Sequence, residues 1–232
     1  YRVVKWGKSP VPFRIPTTAG QHYSSLGFKQ NKIDNPSTGW GVVLRMFFEV
    51  FAFRSLFRNT KAELLQGRLY VGSSKWLWLG ALAFHYSFLV IFLRHMRFFT
   101  PETPWYISVI ESLDSFLQIH ILGSPLVYIT NATIAIALLY LLGRRILDPK
   151  VKYISLPSDY FPLFLILGII TTGALMRYFF KVDVTAIKEL TLGLVYLKPV
   201  IPKEIGSLFY IHLFLVSILF AYFPFSKLMH MG

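Results

Sequence analysis

Residues 76–99 read WLWLGALAFHYSFLVIFLRHMRFF, and this stretch decides the fold. Its apolar core supplies the roughly 20 residues that a helix needs to cross a bilayer. It also carries His85 and His95. A second run, 207–230 (SLFYIHLFLVSILFAYFPFSKLMH), carries His212 and His230. Four of the six histidines therefore sit in or at the ends of two apolar segments. An imidazole in hydrocarbon is costly and marks a functional site by default.

The rest of the composition agrees. Of 232 residues 54% are hydrophobic, with 22 Phe and 13 Tyr, too apolar for a soluble domain of this length. Four segments pass as spans, about 76–97, 125–142, 159–180 and 207–229. There is no internal repeat. There is also no cysteine. That excludes disulfides, thiolate-ligated or covalently attached haem, and any cysteine-held iron–sulfur cluster within this chain. A redox cofactor held here needs other ligands, and histidine is the candidate.

The formal charge of +13 is unevenly spread, with twelve Lys/Arg against three Asp/Glu in residues 1–75. The 143–158 loop adds Arg144, Arg145, Lys150 and Lys152, whereas 98–123 has no Lys or Arg. By the positive-inside rule 1–75, 143–158 and the C-terminus are cytoplasmic, and 98–123 and 181–206 face outward, in a multi-pass protein of the cell membrane. Arg94 and Arg97 fall at an outer end, against the trend. No recognition motif supports nucleic acid as the partner of the basic arm.

Residues 1–40 hold Pro10, Pro12, Pro16 and Pro36 with Gly20, Gly27 and Gly39, which break long elements. Trp6, Phe13, Ile15, Tyr23, Phe28 and Trp40 are many anchors for a free linker, so an ordered, irregular segment pressed against a surface is expected. Residues 37–68 read as an amphipathic helix in the membrane interface, with Arg54 and Arg58 near anionic headgroups. Residues 104–123 read as a second amphipathic helix, with Glu111, Asp114, Ser115 and Gln118 on one face.

If the first and last spans run in opposite directions, His95 matches His212 in depth and His85 matches His230. Two imidazoles without thiolate or nearby carboxylate do not make a zinc or di-iron site. A His–iron–His bridge between antiparallel helices is the b-type haem arrangement, and two axial imidazoles leave no open position, which suits electron transfer. His85 and His95 are ten residues apart, about 15 Å of rise, and His212 and His230 eighteen, about 27 Å and five whole turns on one face. The two rises disagree, and Pro224 is expected to kink or end the last helix. The expected architecture is an all-α integral membrane protein: a helical bundle with two b-type haems between antiparallel transmembrane helices. A haem-free membrane anchor and a histidine-based transporter are the alternatives. The paired histidines count against the first, and the lack of an inverted repeat against the second.

The His-x9-His and His-x17-His pattern resembles the gamma subunit family of membrane-bound respiratory nitrate reductases, dihaem cytochromes b that oxidise quinol. SPVPFRIPTTAGQ (9–21), KQNKIDNPSTG (29–39), FRSLFRNT (53–60), LGALAFHYSFLVIFLRHMRFFT (79–100), YISLPSDYFPLFLILGI (153–169), MRYFFKVD (176–183) and YFPFSKLMHMG (222–232) resemble the DsrM family within it. Those are the cytochrome b membrane subunits of the sulfite-reduction-associated DsrMKJOP complexes. Ala19 departs from the cysteine often present there, so no thiol role applies at that position. The resemblance also implies a span before Tyr1. It implies that His85, His95, His212 and His230 are axial ligands of two haem b groups. It further implies electron passage between menaquinone or menaquinol and a cytoplasmic iron–sulfur subunit (DsrK-like), alongside the other DsrMKJOP subunits, in dissimilatory sulfur (sulfite/sulfate) metabolism. Residues 1–75 would then be a cytoplasmic, interfacial partner-docking segment contacting membrane lipid, and 76–232 the dihaem domain. No substrate chemistry beyond quinone turnover is expected, and no catalytic residue is assigned.

Other positions follow from level in the membrane. Glu111, Asp114, His120 and Arg177 are quinone-site candidates, equally readable as loop residues or propionate partners. Arg94 and Arg97 are haem-propionate candidates on the outer side, or snorkelling side chains. Arg144 and Arg145, with Lys227, are their inner counterparts, or positive-inside anchors. His22 reads as a surface or interface residue.

Overall fold

Each of the four apolar runs folds as a helix, the form in which a segment satisfies its own backbone in hydrocarbon. The computed structural model describes residues 1–8, 23, 32–115, 127–203 and 205–231. Ala19, His22, His120 and Gln118 lie outside the described residues.

In chain order the helices are α1 (Arg2–Lys8), α2 (Gly39–Ala52), α3 (Arg54–Phe57), α4 (Lys75–His95), α5 (Trp105–Asp114), α6 (Ile129–Leu147), α7 (Pro149–Ile154), α8 (Pro157–Tyr178), α9 (Val184–Val195) and α10 (Ser207–Tyr222). One hairpin, β1 (Thr60–Leu65) with β2 (Arg68–Ser73), lies between α3 and α4. Four helical stretches are long and apolar enough to cross a membrane: Lys75–Phe98, Ile129–Leu147, Pro157–Tyr178 and Ser207–Phe225. The chain is thus a mostly helical membrane protein. It divides into two compact units, one running to Leu82 and the other starting at Ala83.

In the first unit, Thr38 caps α2 by accepting from the Gly41 N–H at 3.2 Å. Phe53 then takes a left-handed conformation (φ 48°), which turns the chain sharply between α2 and α3. The Trp78 indole N–H donates to the Ala52 carbonyl at 2.7 Å, and the Phe57 and Trp78 rings meet edge-on at 5.0 Å. The start of α4 is thereby fastened to the α2–α3 corner. The interfacial helix expected over 37–68 is corrected here: helix ends at Phe57, and 60–73 form a hairpin. The apolar spacing that drives α2 stops at Phe57. Gln66 (φ 50°) and Gly67 (φ 77°) then supply the two positive-φ residues that a tight hairpin turn needs. This hairpin is the one sheet among the described residues of a mostly helical fold.

In the second unit, α6 and α8 run in opposite directions. Asn131 near the start of α6 donates to the Tyr178 hydroxyl at 3.0 Å, and Tyr160 near the start of α8 donates to the Arg145 carbonyl at 3.2 Å. The α8 and α10 helices do the same. Thr172 meets His212 at one end, and Phe161 meets Tyr222 at the other. Pro162, inside α8, cannot bond to the Ser158 carbonyl, and the Tyr222 hydroxyl reaches that carbonyl at 3.4 Å instead.

Three boundaries differ from expectation. The second span starts at Ile129 and runs on through Arg144 and Arg145 to Leu147, five residues past the apolar run and just before Asp148 caps α7. The 181–206 connection contains α9, capped by Asp183 on the Thr185 N–H (2.8 Å) and the Ala186 N–H (3.3 Å). Its inner face, Ala186, Ile187 and Leu190, packs with Met176, Ile205 and Phe209 in a buried cluster. Finally, α10 ends at Tyr222, and Phe223–Phe225 and Lys227–Met231 continue as 3-10 turns. The expectation of five regular turns from His212 to His230 is therefore corrected. Regular α-helix covers only ten residues past His212, as many as separate His85 from His95. Pro224 is the physical reason.

Candidate functional site

Three of the four histidines in the apolar segments share one local feature. His95 Nδ1 lies 2.7 Å from the Ile91 carbonyl, one turn back on α4. His230 Nδ1 lies 2.9 Å from the Lys227 carbonyl. A carbonyl only accepts, so Nδ1 carries the proton in both rings and the lone pair sits on Nε2. His212 Nδ1 lies 2.8 Å from the Thr172 hydroxyl oxygen. That hydroxyl donates back to the Gly168 carbonyl at 2.8 Å, so its oxygen is left to accept from His212. Metal-binding histidines are oriented in this way by a second hydrogen bond.

The rings fall in two places. His85 and His230 have centroids 5.9 Å apart with planes at 88°, and Phe84 packs edge-on against His85 at 5.2 Å. His95 closes α4, and His212 lies on α10 against α8 through Thr172. Gly173 on α8 borders His212: a Cβ there would sit 3.4 Å from Cε1, so any longer side chain would press on the ring. Among the described residues no three His, Asp or Glu cluster as a metal site. His85 and His230 meet without a carboxylate among the described residues.

Near the His95 end, the arginines that break the positive-inside trend have partners. Arg94 forms a buried ion pair with Asp114, whose carboxylate also accepts from the Thr130 N–H (2.8 Å) and hydroxyl (2.6 Å). Arg97 pairs with Glu111 at 2.7 Å. Tyr128, just before α6, joins the two pairs. Its hydroxyl donates to Glu111 at 3.2 Å, and its ring packs under the Arg94 guanidinium (3.7 Å) and the Arg177 guanidinium (4.3 Å). Arg97 Nε and Arg177 Nε are buried and find no hydrogen-bond partner among the described residues. Three guanidiniums, two carboxylates and one phenol thus converge here.

At the opposite end of α8, Asp159 holds Lys227 at 2.6 Å and Arg145 at 3.6 Å, and Arg145 also donates to the Ser155 hydroxyl at 3.0 Å. Lys227 and His230 share one 3-10 turn, so this ion pair fixes the segment that presents His230. Arg144 lies half-buried beside Arg145. Sequence reasoning missed Tyr128 and Thr172. A Thr-Gly pair inside an apolar span (Thr172–Gly173) was a usable signal for the second, and nothing local marked the first.

Residues 43–232 match the family model described as nitrate reductase gamma subunit. The chain belongs to that family. It is also similar to two curated archaeal proteins, each described as an Hdr-like menaquinol oxidoreductase cytochrome b-like subunit. The one from Archaeoglobus fulgidus is 41% identical over 239 residues, covering 100% of this chain and 70% of the relative. The one from Archaeoglobus profundus is 43% identical over 236 residues, covering 99% and 69%. These matches bear out the resemblance to the nitrate reductase gamma subunit family read from the sequence.

Proposed function

We propose that this chain is the membrane electron-transfer subunit of a larger redox complex of DsrM type. It would pass electrons between menaquinone or menaquinol and a cytoplasmic iron–sulfur (DsrK-like) subunit through two b haems, in dissimilatory sulfur metabolism. His95 with His212 would hold one haem and His85 with His230 the other. The supporting observation is the shared Nδ1 hydrogen bond, which turns Nε2 of His95, His212 and His230 into the available donor.

The donor set fits the group. A porphyrin would leave this chain to supply two imidazole nitrogens per haem and no carboxylate. His85 and His230 lie with ring centroids 5.9 Å apart and would be the pair to hold one haem between them. When bound, a bis-imidazole haem supplies a one-electron carrier with no open coordination position.

The other residues have separate tasks. Arg97 and Arg177, each with a buried Nε unpaired among the described residues, suit an anionic propionate or a quinone carbonyl near the His95 end. The Tyr128–Glu111 hydrogen bond suits the proton released as a quinol is oxidised, with Glu111 accepting it. Asp114 accepts three hydrogen bonds and holds α4, α5 and α6 together. On the inner side Arg145 and Arg144 are the propionate candidates, with Asp159 fixing Arg145. The basic 1–75 segment faces the cytoplasm and docks the partner in this reading.

The test is a reduced-minus-oxidised spectrum of the purified protein with haem and protein quantified together. Two b haems per chain are expected, and replacing any of the four histidines by Ala removes one. Haem-free, well-folded protein refutes the reading and leaves a membrane anchor or transporter.

A further inference from the structure

The first unit contains a cluster of charges that the electron-transfer reading does not use. Asp34 gathers three arginines. Arg54 Nε donates to its carboxylate at 3.1 Å, Arg58 donates to the other carboxylate oxygen, and Arg45 donates to its backbone carbonyl at 2.5 Å. With Ser55 these residues line an open cavity of about 300 Å³. The Glu49 carboxylate accepts from the Ser55 N–H at 3.3 Å on the same side of α2, so three guanidiniums face two carboxylates and leave a net charge of +1. Each guanidinium has five N–H donors in a fork that suits phosphate oxygens, and Asp34 occupies only a few of them.

The surroundings say where the cavity sits. At 100° per residue, Trp40, Val43, Met46, Phe47, Val50 and Phe51 share one broad face of α2, opposite Arg45 and Glu49. All six are exposed. The helix has 14 residues, about 21 Å, too short to cross a bilayer but suited to lying along its surface. The α2–α3 corner is fastened to Trp78, at the start of the Lys75–Phe98 span, where the interface begins. The left-handed Phe53 folds Arg54 and Arg58 back beside Arg45, on the side away from the apolar face.

We propose that α2 lies along the membrane interface with its apolar face in the acyl layer, and that Arg45, Arg54 and Arg58 form a binding site for the phosphate of an anionic phospholipid. This goes beyond the electron-transfer reading and stands without it. Asp34 is the organiser, holding the guanidiniums in place until the headgroup phosphate arrives.

Two measurements on the full chain test this. The first is native mass spectrometry of protein released from bilayers of phosphatidylcholine containing a minor fraction of phosphatidylglycerol. One phosphatidylglycerol retained per chain is expected. Arg54→Gln with Arg58→Gln should lower its retention about 30-fold, two cationic contacts at an anionic surface. The double Lys variant, which keeps the charge, should restore most of it. Unchanged retention in the Gln variant overturns the site. Displacement of the lipid by millimolar inorganic phosphate also overturns it, because the cavity is then a free-anion site.

The second uses the absence of cysteine, so that Val43→Cys or Val50→Cys carries a single spin label. The proposal expects a label accessible to oxygen and shielded from a water-soluble nickel chelate. Accessibility to the chelate overturns it in favour of a solvated helix. Immobilisation with shielding from both reagents overturns it in favour of a protein covering the face.

Discussion

The Arg94–Asp114 pair allows a quantitative test. The two side chains are 10% and 3% exposed, so neither charge has water to fall back on. Replacing Asp114 by Asn keeps the shape and retains one acceptor for Thr130, but strands the guanidinium. Removing one partner of a buried ion pair costs about 3–5 kcal/mol. Stacking of Arg94 on Tyr128 persists in the variant and offsets part of this, which puts the expectation at the low end, about 3 kcal/mol. For a chain of this length that corresponds to a fall of about 6–12 °C in the unfolding midpoint. The assay is intrinsic tryptophan fluorescence of the detergent-solubilised protein, scanned at one fixed rate because large proteins often unfold irreversibly. The double variant Arg94→Leu with Asp114→Leu removes both charges. It should recover about half of the loss, the remainder being the orphaned Thr130 N–H. A single variant within about 1 °C of the parent would refute the claim that this pair is desolvated. A double variant less stable than the single would refute the claim that a stranded charge is the cause.

Thr172→Val removes the acceptor that orients His212, so haem retention at that position should fall about 10–100-fold in a competition with an apo-haem acceptor protein, with the second haem kept. Tyr222→Phe should cost at most about 1 kcal/mol, and the cost should disappear when Pro162→Ala restores an N–H for the Ser158 carbonyl; unfolding midpoints of the two singles and the double decide this. Asp34 gives a pH dependence. Its partial burial raises the carboxyl and the Arg54 and Arg58 contacts lower it by more, so its value lies below the ordinary 3.8. A depressed folded value stabilises the α2–α3 corner fully above the unfolded value, and the contribution is lost as pH falls below 3.8 through the folded value. The hydrogen-exchange protection factors of residues 54–58, corrected for the intrinsic pH dependence of exchange, should therefore stay flat from neutral pH down to that point and then fall, and Asp34→Asn should abolish the transition.

The sequence displays its spans because hydrocarbon leaves little choice: a charge-free run of five turns has to be helix. It displays their ends less well. The second span runs past Leu142 because a helix in water needs no apolar residue to continue, only the absence of a stop, and the stop comes at Asp148 before Pro149. The α9 helix reads as a loop when charge alone is weighed. Its signal was Asp183 at the cap, followed by Ile187, Leu190 and Leu194 on one face. The hairpin is hidden because it lacks an alternating apolar pattern, and only the Gln66–Gly67 turn announces it. For the site, residue types were legible and pairings were not. Arg94 and Arg97 stand out as cations on the wrong side, and Glu111 and Asp114 as acids on one face of α5. That each acid answers one arginine depends on α5 folding back against the end of α4, which is a tertiary fact. Tyr128 is invisible for the same reason, since three separate elements meet around it.

Those pairings also separate the two carboxylates by role. Asp114 accepts from Arg94, from the Thr130 N–H and from the Thr130 hydroxyl, so protonating it would strand a buried guanidinium and loosen the start of α6. Its carboxylate is committed to holding α4, α5 and α6 together. Glu111 differs: it is a quarter exposed, it shares Arg97, and its other contact is the Tyr128 hydroxyl, which can itself give and take a proton. Of the two carboxylates, Glu111 is the one whose contacts leave it partly open to solvent. The two replacements should therefore diverge. Asp114→Asn acts on the unfolding midpoint and on every activity that depends on folding. Glu111→Gln leaves the midpoint within about 1 °C, while slowing menaquinol oxidation by the assembled complex and changing its pH profile. If Glu111→Gln instead lowered the midpoint as far as Asp114→Asn does, both acids would be struts for their arginines, and the proton acceptor for a quinol would have to be sought elsewhere in the chain.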